Sequence, residues 1–429
     1  MTIPSSQPPN LEQEARSKST PRDRLIQLAR QSTQLARQVA QNPHAPTQLL
    51  EELSRSRDRV TRQQVTANPN TPAEILLALG EEFPAELLEN PVFSLLLLEH
   101  PDLIQQLPER TAFSILDCPK VTFSLVEQIA NRPSQWIRSA IADCDLPIEW
   151  LDKLAQSKHS RVRYGVAQNP NTPVTALEKL VVDRDEDVRV TVALHPYLPY
   201  PLLEQLARDK SANVRFRTAE HPKLKLSPVP QWAIKLLVEL AQSDRLVVRH
   251  SIARNPNTPV ATLEQLAVDS DKDVRVAVAE RPNLPHHLLE QLATDRSEEV
   301  RLRIAKHPKL KLSPLEPRTV QLLVELAQSE SSDVREVVAQ NPNTPAYLLQ
   351  QLVRDSKMRV RAIAARNPNT APANLEELAS DRHKSVREQV ARNPNTSPSI
   401  LELLSQDSHL EVLRGVAANS KTPPSHLQD

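Results

Sequence analysis

The segment Asn-Pro-Asn-Thr occurs six times in this chain, at residues 68–71, 169–172, 255–258, 341–344, 367–370 and 393–396. Aligned on its proline, the pattern runs through Pro170, Pro196, Pro222, Pro256, Pro282, Pro308, Pro342, Pro368 and Pro394, in steps of 26, 26, 34, 26, 26, 34, 26 and 26 residues. A 26-residue unit is therefore nested in an 86-residue superunit whose third member carries eight extra residues. The stretches 221–228 and 307–314 are identical, HPKLKLSP, as duplication of a whole superunit would leave them. Self-similarity at a fixed period of roughly 20–50 residues specifies a solenoid, in which each unit buries its apolar face only against its neighbours.

One unit, from Asn169 to Pro196, shows what repeats. Thr172-Pro173 reads as an N-cap followed by proline at a first helical position. Leu177, Leu180 and Val181 then share one helical face. Residues 183–186 (DRDE) form a polar turn whose acids suit the next helix N-terminus. A second, shorter helix carries Val188, Arg189, Val192 and Ala193, and stops at His195 because a residue before proline is pushed out of helical space. Two helices every 26 residues predict an all-α fold, an αα-solenoid of about twelve to fifteen repeats.

Composition narrows the function. With only three glycines, Gly-rich phosphate cradles are close to excluded, whereas 38 prolines suit helix first turns. Lys plus Arg equals Asp plus Glu, 53 each, so no overall field draws the chain to nucleic acid or anionic lipid. Two cysteines, Cys118 and Cys144, read as buried free thiols in a reducing compartment. The first twenty residues lack the apolar core of a signal peptide, and the run from Val92 to Leu98 is far short of a bilayer span. These features predict a cytoplasmic protein with no membrane partner.

Along the chain, residues 1–22 are polar and read as a disordered lead-in, with a helix beginning near Arg24. Residues 23–72 hold N-terminal repeats. Between 73 and 142 the period blurs: Asn90-Pro91, His100-Pro101 and Cys118-Pro119 are degenerate junctions, separated by denser apolar stretches such as FSLLLLEH. Irregular, more deeply packed repeats are favoured there over an inserted subdomain. The regular array occupies 143–429.

An arginine stands seven residues before each junction proline: Arg163, Arg189, Arg215, Arg249, Arg275, Arg301, Arg335, Arg361 and Arg387. Six residues before most of these lies an acid, giving Asp183, Asp209, Asp269, Asp295, Asp355 and Asp381, with Ser157, Ser243 and Ser329 at the first unit of each superunit. A buried ladder of guanidinium–carboxylate forks between repeats is favoured over a row of phosphate-binding arginines. Leu413 ends the series, where no further partner follows. His195, His221 and His307 replace the junction Asn, and with His286-His287 they read as turn or surface histidines rather than ligands, so no metal is expected. No nucleophile–base constellation stands out from the repeat, so the chain reads as non-catalytic, without a small-molecule cofactor.

On the second helix, positions six and two residues before the proline face away from the Val-Arg packing face. Tyr164, Val190, Leu194, Phe216, His250, Val276 and Leu302 lie there and form a largely apolar stripe, the candidate surface for a protein or peptide partner.

The pattern V-R-x-x-V-A-x-N-P-x-T-P-x-x-x-L-x-x-L-A-x-D, seen from Val162 to Asp183, resembles the leucine-rich repeat variant family and is related to HEAT repeats. The resemblance is clear over about 137–424 and weaker over 35–80. It implies a right-handed superhelix in which α-helices alternate with shorter, partly 3₁₀ helices. Some members carry an N-terminal iron–sulfur cluster, but this chain has no cysteine cluster there, so no cofactor is carried over. The reading that results is a non-catalytic repeat scaffold binding proteins through the exposed face of the short helices. The alternatives are an accessory subunit of a HEAT-like bilin lyase or chaperone system and, on weaker grounds, a nucleic-acid-binding HEAT-like protein.

Overall fold

The computed structural model describes residues 10–312 and 315–423. Among the described residues there are thirty-two α-helices, two short 3₁₀ helices and no strand. The chain divides into two compact units, Met1–Thr218 and Ala219–Asp429. Within each, helix pairs succeed one another and pack on the equivalent helices of adjacent repeats, the arrangement of an αα-solenoid.

A repeat of the first unit illustrates the construction. Helix Val174–Leu180 follows the junction, and helix Glu186–Ala193 returns. Leu177 and Leu180 of one, and Val188, Val192 and Ala193 of the other, are almost fully buried. Each buried Leu or Val here contributes about 1.5–3 kcal/mol. Asp185 caps the returning helix through the Asp187 N–H.

Five local expectations change. The Val-Arg helices, expected to be the shorter of each pair, are as long or longer in most repeats, with eight residues in Glu186–Ala193 against seven in Val174–Leu180, and shorter in others, with nine in Leu246–Arg254 against ten in Gln231–Leu240. The 3₁₀ helices implied by the family resemblance occur among the described residues only at Pro222–Lys225 and Pro308–Lys311, inside the two insertions. Thr172 is not an N-cap, because its hydroxyl donates 2.5 Å back to the Val166 carbonyl and closes the helix before the junction. Pro173 occupies the cap position instead.

The lead-in is the fourth. Residues 1–9 lie outside the described set, but from Asn10 the chain is ordered as helix Leu11–Arg16. The Asn10 side chain accepts from the Glu12 and Gln13 N–H groups, Ala15 is fully buried, and Arg24 pairs with Glu14 at 2.7 Å. Short polar helices of this kind escape hydrophobic patterning because their stability comes from docking on the next repeat.

Through 73–142 helices follow without a break: Ala73–Leu79, Pro84–Glu89, Pro91–Glu99, Leu103–Gln106, Glu109–Leu116, Phe123–Ala130 and Ile137–Asp143. The dense stretch around 91–99 is not deeply packed. Of its apolar side chains only Phe93 is buried, while Leu95 and Leu98 are 57% and 78% exposed.

Candidate partner-binding surface

The repeated polar residues are spent between repeats. Arg189 donates from Nε and Nη2 to Asp209, twenty residues on, at 2.7 and 3.1 Å, and from Nη1 to the Asp183 carbonyl at 2.7 Å. The acid six residues before each arginine thus offers its backbone oxygen, and the carboxylate comes from the following repeat. The same forks join Arg163–Asp183, Arg249–Asp269, Arg275–Asp295, Arg335–Asp355, Arg361–Asp381 and Arg387–Asp407. Arg301 meets Ser329 Oγ at 3.2 Å instead, and Arg215 donates to the Asp209 carbonyl at 2.7 Å. Asp407 had escaped the sequence series, although it precedes Leu413 by the same six residues. Burial pushes the Asp183 carboxyl up, but the Arg163 fork and the Asp185 N–H outweigh it and hold it below the usual carboxylate range.

Asparagine forms a second ladder that the sequence reading did not identify. Asn367 Nδ2 donates to the Ala339 and Asn341 carbonyls of the preceding repeat at 2.7 and 2.8 Å, while its Oδ1 accepts from the Asn369 N–H at 2.8 Å. Asn68, Asn90, Asn169, Asn393 and Asn419 do the same. Where the junction residue changes, the rung changes chemistry but not direction. His307 Nε2 faces the Arg281 carbonyl at 2.8 Å, and Arg281 itself donates to the Ala253 and Asn255 carbonyls. The signal was the recurrence of Asn-Pro-Asn-Thr itself, since a buried helix end needs its carbonyls satisfied.

The stripe residues are less open than their spacing predicts. Tyr164, Val190, Phe216, His250, Val276 and Leu302 are half-buried, and Leu194 alone of the set is exposed, at 49%. Adjacent Val-Arg helices are close enough that a side chain six residues before the proline leans on its neighbour. Arg138, for example, lies over the Tyr164 ring at 4.1 Å. On the second unit a cleft of about 340 Å³ opens beside the junctions, lined by Arg254, Pro256, Glu280 and Arg281 among others.

Cys118 and Cys144 are buried free thiols, and burial pushes the Cys144 thiol up to about 12. No described helix is long and apolar enough to cross a membrane.

No curated protein matches the sequence. Among solved structures, the chain is similar to a leucine-rich repeat variant with a novel repetitive structural motif: 25% identity over 56% of this chain and 88% of that one, TM-score 0.42. It is also similar to yeast importin-beta, Kap95p (13% identity, 95% of this chain and 62% of that one, TM-score 0.33). A chain of the Pds5–Scc1 complex is a third (12%, 92% and 71%, TM-score 0.32). None of these likenesses bears on what this chain binds. The family model described as Leucine Rich Repeat Variant domain matches residues 9–67 and 360–420, and that described as Leucine rich repeat variant matches 186–211, 246–271 and 273–297. With matches recurring in both units, the chain carries leucine-rich repeat variant repeats.

Proposed function

We propose that this solenoid is a non-catalytic scaffold that binds protein partners on the outward edge of its Val-Arg helices. The observation that carries this is the division of labour within the repeat. The regularly recurring Arg, Asp, Asn and Thr side chains hold repeats together, and the side chains that vary from repeat to repeat are those left accessible on this edge. In the first unit these are Tyr164, Val190, Leu194 and Phe216, and in the second His250, Val276 and Leu302. Apolar anchors within a polar rim are the usual composition of a binding patch. Residues 73–142 extend the same array as irregular repeats, since Asn90 carries an asparagine rung into them.

Site-specific photo-crosslinking tests this reading. A photoreactive residue at Leu194 is expected to capture a defined protein from native lysate, whereas one at the exposed Val174 of the other helix row is not. Equal capture at both positions, or none at Leu194, would reject the surface.

A further inference from the structure

Several exposed cations on this protein face a carboxylate, as Lys179 faces Asp152 at 2.6 Å and Arg208 faces Glu204 at 3.0 Å. One group in the first unit does not. Arg138, Lys153, Lys158, Arg161 and Arg184 line three adjoining clefts at the start of helix Ser160–Gln168. Ser160 and Arg161 are shared by two of these clefts, and Lys158 by another two. None of the five has a carboxylate partner among the described residues. Their contacts are to π-faces and carbonyls instead: Arg138 over Tyr164, Lys153 over Phe123 at 4.8 Å, Arg161 to the Ser134 oxygen at 3.1 Å and Arg184 to the Lys158 oxygen at 3.0 Å. Only Glu127 and Asp185 bring negative charge to the same clefts, and Asp185 is occupied in capping its own helix.

Two further features favour an anion here. Helix Ser160–Gln168 has His159 at its cap position without a side-chain cap bond, and Ser160 and Arg161 of its first turn, at the positive end of the helix, line the clefts. The His159 imidazole is pushed below its ordinary range first by burial and then by the positive charges of Lys158, Arg161 and Arg163 around it.

We propose that this patch docks a short acidic peptide segment of a protein partner, which deepens the scaffold reading and rests on it. A peptide fits better than a nucleic acid because the cations do not continue as a track. One repeat on, the position of Arg161 is taken by Asp187 beside Glu186. A long polyanion would be repelled there, whereas a segment a few residues long is held wholly within the positive clefts. Phe123, tilted against Trp150 at 5.9 Å, adds an apolar wall for an uncharged side chain of the segment.

The test is fluorescence anisotropy of a labelled oligo-glutamate peptide with the full chain, beside a single-stranded oligonucleotide of equal charge. The peptide is expected to bind, to weaken with added salt, and to bind about tenfold more weakly to a Lys158→Glu, Arg184→Glu variant. A Lys306→Glu, Arg366→Glu variant in the second unit should bind like wild type, with circular dichroism verifying that both variants keep native helicity. No peptide binding, or equal binding by the first variant, overturns the proposal, and tighter binding of the oligonucleotide assigns the patch to nucleic acid instead. Crosslinking at Leu194 reads the scaffold separately. Capture there without peptide binding removes this proposal alone, and peptide binding without capture removes only the helix-edge surface.

Discussion

Arg163 and Asp183, twenty residues apart, meet in a two-bond fork of 2.5 and 2.8 Å with both side chains less than a tenth exposed. The remaining Nη1 donates to the Ser157 carbonyl at 2.7 Å, so one side chain ties a turn of its own repeat to the turn of the next. Removing one partner leaves a buried uncompensated charge, and Arg163→Ala is expected to cost about 3–5 kcal/mol. Arg163→Lys should recover little, because an ammonium cannot make the fork. Replacing both partners, Arg163→Met with Asp183→Leu, should be far milder than either single loss. Urea unfolding measures the totals. Hydrogen exchange should localise the loss to the repeats on either side, as expected where each unit contacts only its neighbours.

The asparagine rung predicts a separate penalty. Asn367→Ala would leave the Ala339 carbonyl and the Asn369 N–H without a partner, while the Asn341 carbonyl keeps the Thr344 N–H. Each orphaned buried group costs roughly 1–3 kcal/mol. Asn367→Asp should be at least as harmful, because it sets an acceptor against two carbonyls. A denaturation midpoint for Asn367→Asp equal to wild type would show that the rung is dispensable.

The two ladders mark how far the sequence can be read. The arginine series was legible because a charge recurring beside a buried Val needs a partner, and an acid recurs with it. Its connectivity was not, since spacing within one repeat cannot tell the preceding acid, which gives a carbonyl, from the following one, which gives the carboxylate. Asn and Thr of the junction looked like turn residues because their partners are backbone atoms of another repeat or of a helix already ended. The stripe is less open than its spacing predicts for a related reason. Helical spacing gives the direction of Tyr164 or Val276 relative to its own helix axis, but not how closely the next helix approaches. Leu95 and Leu98 show the converse, an apolar run that finds no cover.

A histidine rung makes stability depend on pH. His307 Nε2 faces a carbonyl and must carry the proton, while Nδ1 accepts from the Lys309 N–H at 3.2 Å, so the imidazole sits neutral. Burial, together with nearby Lys309 and His286, lowers its affinity for a second proton below the ordinary 6.5, against the opposing pull of the Arg281 carbonyl. The unfolded chain then binds more protons than the folded one. The contribution is complete above the unfolded value and is lost as pH falls from there towards the depressed folded value. His307→Asn, the residue used at most other junctions, should therefore lose less stability than wild type on going from pH about 7.5 to about 5.5. Parallel slopes for the two proteins would contradict the assignment.

Gly165 predicts where repeats can and cannot spread. A Cβ at this position would lie 2.7 Å from the Arg138 carbonyl and 2.8 Å from Ile141 Cβ, on the helix of the preceding repeat. Both obstacles belong to rigid helical parts, so relief requires the helices Ile137–Asp143 and Ser160–Gln168 to separate. At Gly80 the nearest obstacle is 2.5 Å away, but it is Leu87 Cδ2, the far end of a side chain that can turn. Alanine in a helix is intrinsically favoured over glycine by about 1 kcal/mol. Overpacking costs about 1–3 kcal/mol. Gly165→Ala should therefore come out destabilising and Gly80→Ala closer to neutral, as read by thermal or urea unfolding of the two variants side by side. A Gly165→Ala variant as stable as wild type would mean that neighbouring repeats slide apart at little cost, and the close approach that brings Arg138 over Tyr164 would then not be fixed by packing.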